Sequence, residues 1–180
     1  MGMNVQRSAR GALAGGLAAG IWAAQQPLDK RVFGTDYDDV ELVGKFVTRG
    51  PSWPLIGTAI HVGNGMVFGA VYSHLKGFLP GPAPAKGLAA AMIENFGLWP
   101  LGGAVHRLHP ARRELTPLSG NYRVLAQATW RHALFGVLVG FLEARLNADL
   151  EAEPPEIPVS SNGHGDIESA AVATADASTS

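Results

Sequence analysis

The stretch Trp53–Leu75, WPLIGTAIHVGNGMVFGAVYSHL, decides how the rest of the chain is read. It carries no Asp, Glu, Lys or Arg, and at about 1.5 Å per residue a helix of this length crosses about 30 Å of hydrocarbon. Gly57, His61, Asn64, Gly65, Gly69 and Tyr72 recur at spacings of three and four, so a helix places them in one stripe. The opposite side, Ile56, Ile60, Val62, Val67 and Val71, is bare hydrocarbon. A small and polar stripe backed by apolar side chains is the pattern of a membrane helix with lipid on one face and other helices on the other.

Three further stretches join it. Residues 9–28 contain Gly11, Gly15, Gly16 and Gly20 in overlapping small-xxx-small patterns, which predict a tightly packed first span. A cleaved signal peptide is the alternative there, because Arg7 and Arg10 precede an apolar run that ends in Ala23-Ala24. The large Ile21 or Trp22 would then occupy a position where cleavage favours a small residue. Residues 87–105, GLAAAMIENFGLWPLGGAV, predict a third span with Glu94 and Asn95 near its middle. Residues 124–146 predict a fourth, with Arg131 and His132 inside. The resulting expectation is an all-α, four-helix transmembrane bundle over residues 1–148.

Between the first two spans, Asp38 or Asp39 can cap a short helix over about 38–49, which Gly50-Pro51 ends. It reads as a helix lying at the membrane interface or, equally, as one packed on the end of the bundle. The turn KGFLPGPAPAK (76–86) is short enough to make spans two and three antiparallel neighbours. Residues 149–180 are rich in Glu, Asp, Pro, Ser, Thr and Ala and predict a disordered acidic tail.

Composition fits this division. Charged residues make up 16% of the chain, well below the roughly 25% of an ordinary soluble domain. The net charge of −1 hides a split: residues 1–148 hold all 14 Lys and Arg with 8 acids, and residues 149–180 hold 7 acids and no base. No cysteine is present, which excludes disulfides, thiolate metal sites and a cysteine nucleophile. Eight Lys and Arg lie in loops one and three against five on the other side, but loop one also holds five acids, so both orientations of the termini stay open.

Spans two and four match at an offset of 71 residues: His61, Gly65, Gly69 and Leu75 correspond to His132, Gly136, Gly140 and Leu146. Gly16-Leu17-Ala18-Ala19 and Gly87-Leu88-Ala89-Ala90 match at the same offset. A two-helix hairpin used twice is expected, related by an axis along the membrane normal. Gly57, Gly65, Gly69, Gly136 and Gly140 then join the glycines of span one as helix-packing positions. The two histidines would lie at similar depth, facing each other near that axis.

His61, Asn64, Glu94, Asn95, Arg131 and His132 form the candidate intramembrane polar centre, since ionisable groups within a span mark function unless they are paired. Glu94 and Arg131 are expected to neutralise each other across spans three and four. The histidines have three readings: interhelical hydrogen bonds, a proton or ion pathway with Glu94, or a metal site of two His and one carboxylate. His106 and His109 flank the basic loop and are expected to be solvated. The chain lacks Gly-x-Ser-x-Gly, a phosphate-binding loop, His-Glu-x-x-His and a dinucleotide fingerprint, so no catalytic residue, cofactor or resident metal is expected. Arg107, Arg112 and Arg113 are assigned to lipid headgroups, and no nucleic-acid module is present.

FGAVY (68–72), the Pro-rich turn, GLAAAMIENFGLWPLGG (87–103) and HALFG…FLEARL (132–146) resemble the YagU-type family of small bacterial inner-membrane proteins. The resemblance spans about residues 10–146 and implies a multi-pass inner-membrane protein with a link to acid stress. It brings no catalytic or binding residues, and the acidic tail and Asp-rich first loop lie outside the family's pattern. The expected function is proton or ion handling, or pH response, through the His/Glu/Arg centre, with ion passage calling for a homo-oligomer. The alternative is an accessory subunit that joins a larger membrane complex through its glycine faces, and an intramembrane metalloenzyme ranks last.

Overall fold

The computed structural model describes residues 4–152, and the acidic segment from 153 onward lies outside them. The described residues are helical, with no strand. They form α1 (Val5–Phe33), α2 (Asp39–Val47), α3 (Trp53–Leu75), α4 (Ala83–Leu98), α5 (Gly102–Leu108), α6 (Tyr122–Leu146) and α7 (Ala148–Ala152). Asp149, expected in the disordered tail, instead lies in α7 and pairs with Arg10.

α1 outruns the expected first span at both ends. Asn4 caps its start by accepting from the Arg7 N–H, and Gly34, at φ 60°, closes it with an N–H to the Lys30 carbonyl. The expected third span breaks at Pro100. α4 stops at Leu98, Trp99–Leu101 make one 3₁₀ turn, and α5 follows. The break lets Trp99 pack with Tyr37, Leu118, Val124 and Ala128 at the loop end of the bundle.

Helix approach is set by glycine. A methyl on Gly15 would collide with the Gly65 carbonyl, and one on Gly69 with the Gly11 carbonyl, so α1 and α3 cross backbone to backbone, antiparallel. α4 and α6 cross in the same way, Gly87 on Gly136 and Ala83 on Gly140. The duplicated hairpin therefore appears in the packing, with one change of register. Gly65 and Gly69 map to Gly136 and Gly140 at 71 residues, but Gly11, Gly15 and Ala19 map to Ala83, Gly87 and Ala91 at 72. Gly20 faces open space instead of a helix, and Gly57 packs against α2, whose Val40 carbonyl lies against it. Gly16 touches the Met66 side chain. α2 thus packs on the end of α3, burying Val40 and Gly44 and leaving Phe46 and Val47 exposed.

A two-fold repeat offers two equivalent seams between its halves, α1 with α6 and α3 with α4. Only the first is closed. α1 packs along α6, whereas α3 and α4, joined by a short turn, hardly touch and leave an apolar cleft of about 660 Å³.

Charged and amide side chains share the interior with an apolar core, while many large apolar side chains face outward. The largest fully buried side chains include Arg131, Gln127 and Glu143. Leu13, Leu17 and Ile21 on α1, Val67 and Val71 on α3, Ile93 and Phe96 on α4, and Val137 and Phe141 on α6 all face outward, each at least 40% exposed. Among the described residues, one helix, α3 with its 3₁₀ extension (Trp53–Phe78), is by length and composition long and apolar enough to cross a membrane, and 28% of its most apolar window is buried.

Candidate functional site

The polar residues gather about two turns below the loop-one end of the bundle, around Trp22. Its indole makes T-shaped contacts with His61 (centroids 5.0 Å apart), His132 (4.8 Å) and Phe135 (5.7 Å). Its N–H donates to Asp39 Oδ2 at 3.2 Å. The two histidines thus share one indole as their common neighbour. A chamber of about 170 Å³ opens beside them, bounded by His61, Asn64, Glu94, His132, Asp39 and Trp22. That volume has room for several water molecules.

His132 donates through Nδ1 to the Ala128 carbonyl one turn back, at 2.8 Å. His61 is 8% exposed, and its Nε2 is buried without a hydrogen-bond partner. Such an atom is costly to leave unmet, so this is where the site is chemically unfinished. Asn64 lies exposed at the mouth of the cleft and Glu94 is half-buried beside it.

Arg131 corrects the sequence reading. No ion pair joins it to Glu94. Its guanidinium takes both oxygens of Asp29 side-on, Nε to Oδ2 and Nη2 to Oδ1, each at 2.6 Å. Nη1 reaches Asp39 Oδ2 at 2.5 Å, and Nη2 also donates to the Tyr37 carbonyl at 3.1 Å. Gln127 donates to Asp29 at 2.7 Å, Gln25 donates to it at 2.6 Å, and the Tyr37 hydroxyl donates to Asp39 Oδ1 at 2.5 Å. Arg131 is thus satisfied within a network that joins α1, α2 and α6. Burial opposes ionisation of Asp39, but the Arg131 guanidinium and the Tyr37 hydroxyl outweigh it and hold the carboxyl below its ordinary range. Burial first, and then the Asp39 charge, push the Tyr37 hydroxyl well above its ordinary value.

Asn95 lies apart from the chamber and ties α4 to α6 by donating to Thr129 at 3.1 Å. His109, expected to be solvated, is 1% exposed: Nε2 donates to the Leu42 carbonyl at 2.8 Å and Nδ1 accepts from the Ala111 N–H at 3.1 Å. It pins the 109–121 loop to α2. The sequence reading missed Trp22, Asp29, Asp39, Tyr37 and Gln127 as members of the site. The signal was present in the need of a buried guanidinium for counter-charge, with carboxylates at the end of α1 and the start of α2.

Among the described residues, no three His, Asp or Glu side chains converge as metal ligands. Compared with known proteins, the chain matches no family model, no curated protein and no solved structure.

Proposed function

We propose that the chain is a small multi-pass membrane protein of the cell (inner) membrane, whose His61–Glu94–His132 chamber takes up protons and makes the bundle responsive to pH. The observation that carries this reading is a belt of exposed Leu, Ile, Val and Phe around a bundle whose interior also holds Arg131, Gln127 and Glu143. α1, α3 and α6 each exceed 20 residues, and α4 with its 3₁₀ turn and α5 supplies the fourth passage. Arg131 is tolerable at that depth because Asp29 and Asp39 neutralise it.

Binding fits the chamber better than conduction. On the side away from loop one, Trp22, Phe68, Tyr72 and Phe135 pack with Ala18, Ala19, Ala91 and Val139 and close the passage. The resemblance to YagU-type proteins, with that family's link to acid stress, points the same way. The accessory-subunit alternative leans on free glycine faces, yet Gly11, Gly15, Gly65, Gly69, Gly136 and Gly140 are taken up in the chain's own crossings.

The test has two arms. Membranes carrying the protein should retain it through an alkaline carbonate wash and release it to detergent. A variant keeping Trp22 as its sole tryptophan should lose fluorescence as pH falls from about 8 to about 5, through the range in which imidazole titrates. That change should vanish when His61 and His132 are replaced by Gln. Recovery as a folded monomer from the aqueous fraction overturns the membrane reading, and a pH-insensitive Trp22 overturns the proton-binding one.

A further inference from the structure

The two seams of the repeat differ at corresponding positions. In the closed seam, Trp22 on α1 meets Phe135 on α6, and Asp29 meets Arg131. Carried over by the offsets of 72 for the first helix and 71 for the second, Trp22 corresponds to Glu94 and Phe135 to Asn64, while Asp29 corresponds to Leu101 and Arg131 to Ile60. The open seam thus has a carboxylate and an amide where its counterpart has an aromatic pair, and it has no ion pair to draw it shut. Asn64 and Glu94 line a cleft whose other walls are apolar or aromatic, Val67, Phe68, Val71, Tyr72 and Ala90 among them. The cleft and the chamber share Asn64, Phe68 and Glu94, so the apolar groove leads to the buried, unpartnered Nε2 of His61.

Charge selects the occupant. Asp39 and Glu94 line the chamber; the one guanidinium beside it, Arg131, is shared between Asp39 and the buried Asp29, and Lys30 is engaged with Asp38. With neutral imidazoles the surroundings carry excess negative charge, at the end of a hydrocarbon-lined groove with aromatic walls. A body of apolar carbon bearing a positive charge satisfies both, through the carboxylate and through the rings of Phe68 and Tyr72. The volume of about 660 Å³ lies within the range of small-molecule sites.

We infer that the α3–α4 cleft is a binding site for lipophilic organic cations, which reach it sideways from the bilayer and bring their charge to Glu94 and Asn64. This rests on the membrane reading for its route of access, but not for the binding itself.

The test is equilibrium binding of tetraphenylphosphonium to the purified full chain in detergent, with tetraphenylborate as an anion of matching shape. Saturable binding of the phosphonium with little of the borate is expected. Glu94→Gln should weaken it about tenfold or more, as loss of a charge pair in a poorly screened site requires. Glu94→Asp should keep most of it, and Ala90→Phe, which fills the cleft wall, should abolish it. Equal binding of the two ions, or indifference to both Glu94→Gln and Ala90→Phe, overturns the proposal and leaves the cleft a lipid-filled seam. A dimer that Ala90→Phe dissociates overturns it in favour of a second copy. Should Glu94→Gln not fold, the preference of the unaltered protein for phosphonium over borate decides. Because binding is read on the purified protein, its outcome stands whichever fraction the carbonate wash assigns the chain to.

Discussion

Arg131 on α6 holds Asp29 on α1 side-on, two 2.6 Å hydrogen bonds between groups that are 0% and 1% exposed. The pair fixes how the two halves of the bundle meet. Arg131→Met strands the Asp29 and Asp39 carboxylates in the interior and is expected to cost about 3–5 kcal/mol. Arg131→Lys should recover little, since an ammonium cannot span both oxygens. Arg131→Met combined with Asp29→Asn should be less damaging than Arg131→Met alone. Thermal melts of the detergent-purified variants check the order, and equal melting of all of them with the unaltered protein would refute it.

Acid should loosen the same corner. The folded protein holds Asp39 below its ordinary value of 3.8, so its contribution is complete above that value and disappears as pH falls through the lower, folded one. The melting temperature is expected to drop below about pH 4, and Asp39→Asn should flatten that part of the profile. A parallel drop in both proteins would assign the acid sensitivity to other carboxylates.

The glycines separate into two classes that look alike in sequence. At Gly65 an added methyl meets the Ala19 side chain at 2.5 Å and the Gly15 carbonyl at 2.7 Å. Gly65→Ala should therefore force α1 and α3 apart, at about 1–3 kcal/mol. Gly20 has nothing within 4 Å, and Gly20→Ala should stabilise α1 by up to about 1 kcal/mol through helix propensity alone. Chemical denaturation of both variants tests the contrast, and a shift of the same sign in each would contradict it.

Copying the closed seam into the open one gives a fourth expectation. Asn64→Phe with Glu94→Trp recreates the aromatic contact of Phe135 and Trp22, worth about 0.5–1.5 kcal/mol beyond the buried area. The double variant should melt higher and no longer bind tetraphenylphosphonium. Retained binding would place the cation elsewhere.

The long helices were legible because their periodicity is local. α3 has the bounds its apolar run implies, and Asp38 caps α2 by accepting from the Glu41 N–H. Where distant residues decide, the sequence misled. Pro100 ended α4 early because Trp99 finds a pocket at the loop end, whereas Pro27 did not end α1, which continues to Gly34. Glu94 was matched with Arg131 because their helices adjoin, but the guanidinium turns to α1 and α2, where Asp29 and Asp39 offer two carboxylates instead of one. The 71-residue repeat was visible, but its one-residue change of register was not, and that change aligns Trp22 with Glu94.

The unequal seams have a consequence for stoichiometry. Two identical hairpins assembled face to face would present either two pockets or none, each the mirror of its partner's surroundings in composition. In this chain the two junctions differ, and the α3–α4 vestibule opens on one flank. A guest in that vestibule meets one acid and one amide, so the proposed site holds one guest per polypeptide.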